Sequence, residues 1–374
     1  MKLRKICHAF ILLGLISCNN DDSWTDDNTP ITPEEGTVQG LYILNEGSWG
    51  GNNAELSYYD YASGNFTEDY FNSVNPSQGG LGDVGNDLKI YGSKLYAVIN
   101  SSNYVEVMDA KTAKHIAKVQ IANCRSLTFD KGFAYVTSYA GTTDDSGKQL
   151  GFVAKIDTAN LSIVDRVSVE YQPEELTVSN NKLYVANSGG YNYPNYSDKV
   201  SIINLSTFKV INTLAVGVPN LSKIKTDKNG DVWVVSQGDY NGIAPALSVI
   251  DPKTDQIIEK LENINITDFT FYGNGLYFYG STYSMDTGNN LNSYGVIDIN
   301  SKTQIASHIF NSSLESQITA PYGLIINPEN GDIFLSDALD YFSRGKVYCF
   351  DKNGNQKWVK TTGINPGHFV LLYK

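Results

Sequence analysis

Glu175-Leu176-Thr177-Val178-Ser179-Asn180-Asn181-Lys182-Leu183-Tyr184-Val185-Ala186 (ELTVSNNKLYVA) decides the fold. Residues 175–178 alternate as a strand, Ser179-Asn180-Asn181 supplies turn chemistry, and KLYVA alternates again. A long loop follows, Asn187 to Asp198, then a third strand from Lys199 to Asn204. A turn at Leu205-Ser206-Thr207 leads to an outer strand, Phe208 to Val216. This is one antiparallel meander of four strands. The same unit returns along the chain, with aromatic anchors at Tyr42, Tyr96, Tyr135, Tyr184, Trp233, Tyr277 and Phe334. Turns that close the third strands begin at Asp60, Asp109, Asp157, Asn204, Asp251, Asp298 and Asp351. A spacing of roughly 40–57 residues between anchors is that of propeller blades. The expected fold is all-β, a seven-bladed β-propeller. Four Asn-Gly pairs, at Asn229, Asn274, Asn330 and Asn353, mark hairpin turns. No stretch of residues 38–374 has a helical period of useful length.

The two ends predict how the ring closes. Gly40-Leu41-Tyr42-Ile43 reads as a second strand with no inner strand before it. Pro366-Gly367-His368-Phe369-Val370-Leu371-Leu372-Tyr373 reads as an inner strand with nothing after it. The C-terminal strand is therefore expected to join blade one, leaving no open edge.

Three regions are expected. Residues 1–18 begin with Lys2, Arg4 and Lys5, continue through an apolar stretch too short to span a bilayer, and end in Leu15-Ile16-Ser17-Cys18. That ending resembles a bacterial lipobox, which implies a lipid on Cys18. Residues 19–37 are acidic, polar and Pro-containing, and read as a flexible tether. Its early Asp21-Asp22 pair resembles the surface-export signals of lipoproteins in gut anaerobes. Residues 38–374 hold the propeller.

The chain has 374 residues and a net charge of −12, with 12% aromatic and 18% charged residues. The charge argues against nucleic acid, which needs clustered Lys and Arg. Cys124 and Cys349 show no CxxC spacing and read as buried apolar thiols.

Function is expected in the loops between second and third strands, which share one face of a propeller. Six are long: 45–54 (NEGSWGGNNA), 138–150, 187–198 (NSGGYNYPNYSD), 236–245, 280–294 and 336–345. They are rich in Tyr, Trp, Asn, Gly and Ser, and the chain carries 25 Tyr. Such side chains offer flat apolar area with polar tips, the mix that antibody paratopes use. Any one of them also suits an ordinary solvated surface. The cluster on one face favours a broad, neutral, partly flat ligand. Candidate ligand-binding residues are Trp49, Asn52, Tyr191, Tyr193, Tyr240, Tyr283, Tyr341, Phe342 and Arg344.

No nucleophile elbow, P-loop or His-Glu-x-x-His motif occurs, and no enzyme activity, metal or covalent cofactor is expected. Gly80 to Gly85 fits G-x-G-x-x-G, but without strand-then-helix context it reads as a blade-to-blade loop. His115 and His308 read as surface, and His368 as near the axis. Loop carboxylates at Asp144, Asp145, Asp239, Asp286, Asp337 and Asp340 have no specifying spacing. Arg125 and Arg344 are each able to hold an anion or to form a salt bridge within the fold. Two alternatives remain: a calcium-dependent lactonase-like propeller, for which Glu46, Asp239 and Asp337 would converge around an ion, and a glycan- or protein-binding surface module.

The KLYV…VIDxxT repeat resembles YncE-like propellers over Gly40 to Lys374. The lipobox with its acidic tether, the opening Leu41-Tyr42-Ile43-Leu44-Asn45-Glu46-Gly47 and the closing Pro366-Gly367-His368-Phe369 are similar to those of BtuG-type surface lipoproteins. The resemblance implies an outer-membrane, cell-surface protein that captures vitamin B12 (cobalamin or a related corrinoid) on its loop face. It also implies delivery to a TonB-dependent (BtuB-like) outer-membrane transporter. A corrinoid's macrocycle, amide rim and phosphate suit aromatic faces, Asn side chains and an Arg respectively.

Overall fold

The turns that end the third strands set each blade's local geometry. Asp109, Asp157, Asp251 and Asp298 each accept backbone N–H groups two or three residues ahead through one carboxylate oxygen. The residue four places on then takes a left-handed conformation: Ala113, Leu161, Phe208, Asp255 and Lys302 all have φ between 49° and 62°. Its N–H returns to the carbonyl of the first turn residue. A short side-chain acceptor and one left-handed residue thus reverse the chain in the smallest space. The matching register shift lies one residue before the turn in blades two to six.

The computed structural model describes residues 37–144, 147–284 and 288–374. They form seven four-stranded antiparallel sheets. Burial follows position within a blade. Second strands such as Lys182–Asn187 and Val232–Ser236 are dry almost throughout, because blades stack on both of their faces. Outer strands such as Lys209–Ala215 are exposed and carry charges that guard the edge. Tyr42, Tyr96, Tyr135, Tyr184, Trp233 and Phe334 are fully buried between blades. Tyr277 is only half-buried, and Tyr279 is the fully buried tyrosine of blade six. Tyr42 and Tyr184 have their polar tips satisfied from a distance, whereas the buried Tyr96 hydroxyl has no hydrogen-bond partner among the described residues. Tyr42 donates to the Ala110 carbonyl at 3.0 Å, and Tyr184 donates to Asp255 at 2.6 Å, so each reaches the turn of the next blade.

The ring closes as the two termini predict. Pro366–Tyr373 pairs with Val38–Asn45, aligning Leu41 with Leu371 and Ile43 with Phe369. Leu371 joins Leu41, Ile43, Phe334 and Val347 in one cluster shared by blades seven and one. Two short helices depart from the expectation of none: Tyr70–Val74, N-capped by Asp69, and Ser312–Glu315, N-capped by Asn311. Both lie between blades, too short for a helical period to register. Residues 280–294 were expected to loop. Instead Gly275–Ser284 and Asn289–Asp298 run on as a hairpin arm, pairing out to Ser284 with Asn289. Residues 80–84 lie in a blade-to-blade connection, as expected, and Gly85 opens the inner strand of blade two. Cys124 and Cys349 are buried, and burial pushes both thiols up to about 12. The leader, Cys18 and the tether up to residue 36 lie outside the described residues, as do Asp145 and Asp286.

Leu371→Ala should cost about 2–4 kcal/mol, because it opens a cavity in the closing seam. Urea unfolding of the variant and parent checks this; a loss under about 1 kcal/mol would mean that the seam is not packed as described.

Candidate functional site

Every second strand ends, and every third strand begins, at the same end of the ring, so the expected loops share one face. The candidate residues follow these strand ends. Trp49 is 87% exposed, Tyr191 82% and Phe342 80%, while Tyr193, Tyr240 and Tyr283 are also open to solvent. Side chains of this size on the surface are normally spared such exposure. Tyr341 is less open at 40%, accepts from Asn290 at 3.3 Å, and stands edge-on to Tyr322.

Local backbone holds several of these residues in place. The loop carrying Trp49 is tied to the neighbouring blade through Asp83, which accepts from the N–H groups of Gly50 and Asn52. Gly47 is required there: at φ +78°, a Cβ would lie 2.5 Å from Asn53. Asn52, Tyr240 and Tyr341 are themselves left-handed, a conformation bulky side chains disfavour. Asp340 accepts from Phe342 and Ser343, and those bonds lower its carboxyl to about 2.

The rim residues are partly brought together. Tyr193 meets Tyr196 edge-on, and Tyr196 meets Tyr240 at 6.2 Å, joining blades four and five. Tyr191 meets Tyr139 of blade three at 5.7 Å. Trp49 and Phe342 make no ring contact among the described residues. Arg344 is held by Glu55 through two bonds, at 3.0 and 3.2 Å, and by Glu68 at 2.8 Å. Burial lowers its pKa and these carboxylates raise it more. An incoming anion would have to compete with both.

Inside the rim lies a feature that loop reading does not reach. The inner strands align as Asn86-Asp87, Arg125-Ser126, Glu174-Glu175, Ser222-Lys223, Thr267-Asp268, Tyr322-Gly323 and Gly367-His368, the residues that start each strand at the loop face. The first four pairs, with His368 and Glu46, line an axial mouth of about 300 Å³. Lys89 and Lys225 lie one step deeper. The charges are mostly consumed within the wall. Glu174 takes Arg125 at 3.0 Å and also accepts from Tyr139 and Ser188. Asp87 takes Lys89 at 2.9 Å and Ser126 at 2.6 Å, and Asp268 takes Lys225 at 2.6 Å. Burial alone would raise both aspartates. The lysines, with hydrogen bonds to each carboxylate, outweigh it, holding Asp87 well below the usual range and lowering Asp268. Burial pulls Lys223 down, but Asp268, Glu175, Asp87 and Glu46 together hold it above its ordinary value.

Mouth and rim are continuous. The Arg125 guanidinium lies over the Tyr139 ring, which touches Tyr191. Across the opening, Tyr322 donates to Glu46 at 2.9 Å and touches Tyr341. His368 lines the mouth as expected, its Nε2 3.4 Å from Glu46. His115 is less of a surface residue than expected, since it is half-buried and pairs with the fully buried Glu106. His308, which is exposed, pairs with Glu315. Glu46, Asp239 and Asp337 do not converge. Asp239 accepts from its own loop at Asn241 and Ile243, and Asp337 is buried against the N–H groups of Thr319 and Ala320. Lys223, Glu174 and Glu175 were missed as site residues. Stacking the seven inner strands with Gly85, Cys124, Pro173, Leu221, Ile266, Pro321 and Pro366 in one row would have shown an acidic or basic residue one or two places later in six of them.

The lowered Asp268 fixes a sign. A carboxyl whose folded value is depressed contributes stability in full above about pH 4, and loses it as pH falls toward the folded value. The stability gap between the parent and Asp268→Asn should therefore be largest near pH 6 and shrink toward pH 3. Denaturant titrations at both pH values test this; a constant gap would remove the axial ion pairs as its cause.

Comparisons with known structures agree on the fold. A chain of the Kuenenia stuttgartiensis hydrazine synthase superposes with a TM-score of 0.60 at 13% identity, covering 78% of this chain and 95% of that one. A quinonprotein alcohol dehydrogenase-like protein from Bacteroides thetaiotaomicron VPI-5482 gives 0.60 at 16% identity, covering 90% and 79%. A chain of a mitotic checkpoint complex gives 0.55 at 10% identity, covering 76% and 80%. At these identities the likeness is one of fold alone. No curated protein matches the chain. Residues 39–365 match the family model described as Domain of unknown function (DUF5074), and the chain belongs to that family.

Proposed function

We propose that this propeller is a non-enzymatic receptor that captures a broad, flat, polar ligand on its loop face, and that the ligand is cobalamin or a related corrinoid. One observation carries the reading: Trp49, Tyr191, Tyr193, Tyr240, Tyr283 and Phe342 are all strongly exposed, and all stand on one face. Aromatic faces held outward by a rigid ring offer contact area with little left to order on binding. The axial mouth, at about 300 Å³, is far too small to swallow a whole corrinoid. The macrocycle would lie across the rim.

The corrinoid itself comes from the resemblance to BtuG-type lipoproteins, as do the anchor and the partner. In this reading a lipid on Cys18 holds the chain to the outer face of the outer membrane. The acidic tether gives reach, and the propeller passes its ligand to a TonB-dependent transporter. Arg344 is already engaged by Glu55 and Glu68, so a ligand phosphate is better placed away from it.

Calorimetric titration of the purified chain with cyanocobalamin tests the ligand; no heat at micromolar concentrations rejects it. Tyr191→Ala and Tyr240→Ala should each weaken binding about tenfold while leaving the melting temperature within a few degrees. Collapse of the fold in these variants would place the rings in the core instead. Cys18→Ser should move the protein from the membrane fraction to the soluble one, and unchanged fractionation would remove the lipid anchor.

A further inference from the structure

We propose that the axial mouth is a subsite for a primary carboxamide carried by the ligand on the rim. The proposal rests on the receptor reading above and assigns the chemistry of its centre. Arg125, Lys89 and Lys225 are each committed to a carboxylate at 3.0 Å or less, and Glu174, Asp87 and Asp268 are the carboxylates they occupy. Lys223 differs. Among the described residues it makes no hydrogen bond, and its closest ion partner, Asp268, is 3.9 Å away. It is an ammonium with three donors and room in front of it.

Acceptors stand around the same space. Glu46 and Glu175 both line the mouth: Glu46 accepts from Tyr322 through Oε2 and has Oε1 3.4 Å from His368, and Glu175 accepts from the Ile224 N–H through Oε2, so each carboxylate retains acceptor capacity. His368 Nε2 is buried without a hydrogen-bond partner beside Glu46. A buried polar atom left unpaired is costly, and a group that pairs it gains the difference.

A ligand group that satisfies this set must accept on one side and donate on the other. A carboxylate would accept from Lys223 but would face Glu46 and Glu175, and an alkyl group would satisfy none of them. An ammonium would satisfy the acceptors and oppose Lys223. A carboxamide does both: its carbonyl accepts from Lys223 and its NH2 donates to Glu46 and Glu175, with no net charge to bury. The mouth is bracketed by Tyr139 below Tyr191 and by Tyr322 below Tyr341, so a ligand lying on the rim can lower one amide arm into it.

The test uses the full-length chain, its Lys223→Met, Lys223→Arg and Glu46→Gln variants, and Tyr240→Ala as a rim control. Calorimetry compares cyanocobalamin with derivatives in which single rim amides are hydrolysed to carboxylates. In parallel, propionamide and propionate are titrated while the Lys223 side-chain NMR signal is followed. Lys223→Met and Glu46→Gln should each weaken cyanocobalamin at least about tenfold, and Lys223→Arg should restore part of the loss. One hydrolysed derivative should lose a similar factor, and propionamide should shift the Lys223 signal where propionate does not. If Tyr240→Ala weakens cyanocobalamin but the mouth variants and propionamide have no effect, the subsite is wrong and the receptor stands. If cyanocobalamin fails to bind while propionamide shifts Lys223, the corrinoid is wrong and the amide subsite stands. If neither ligand registers, the subsite is overturned.

Discussion

The pairing of Pro366–Tyr373 with Val38–Asn45 is the constraint on which the other features depend. Six blades can each complete four strands from consecutive sequence. The seventh circle closes only when the two ends of the chain share a sheet. That pairing buries Leu41, Ile43 and Leu371 against Phe334 and Val347, and removes the two edges that an open ring would present. It also carries Glu46 and His368 to the axis together, although they are far apart in sequence.

Closure dictates where charge is tolerated. Between blades, second and third strands are mostly dry, and the large anchors occupy that space, Tyr42 and Tyr184 with their polar tips paired across the seam. At the axis, seven inner strands stand side by side around an opening, so polar and charged residues are tolerated on the side that lines it. Asp87, Glu174 and Asp268 find cations there, at 2.6 to 3.0 Å. Such pairs cost desolvation and recover it through short contacts. What they contribute in addition is a wall of fixed shape and near-balanced charge within a chain of net charge −12.

Rim and mouth then divide recognition between two kinds of physics. Exposed rings on the rim supply area and dispersion with few directional demands. The mouth supplies direction, since Lys223, Glu46, Glu175 and His368 face a space of about 300 Å³ and have bonding capacity to spare. The tyrosines that join the two, Tyr139 and Tyr322, are anchored to Glu174 and Glu46, so the surface is continuous and stiff.

Blade number, strand order, ring closure and the single loop face were all legible in the sequence, because each depends on local alternation, turn residues and a count of repeats. So were the exposed aromatics Trp49 and Phe342, which local pattern places on loops and nothing nearby covers. The hairpin arm at 275–298 was not legible, because Asn, Gly and Ser mark a loop by composition, whereas cross-strand pairing decides a strand. Nor was the engagement of Arg344 by Glu55 and Glu68, which needs blade seven beside blade one. The sequence by itself determined the strands and their periodic repetition, since these follow from contacts a few residues apart. Only the tertiary structure decided which charges meet at the axis and which remain unpaired, because those neighbours come from seven strands that touch nowhere along the chain.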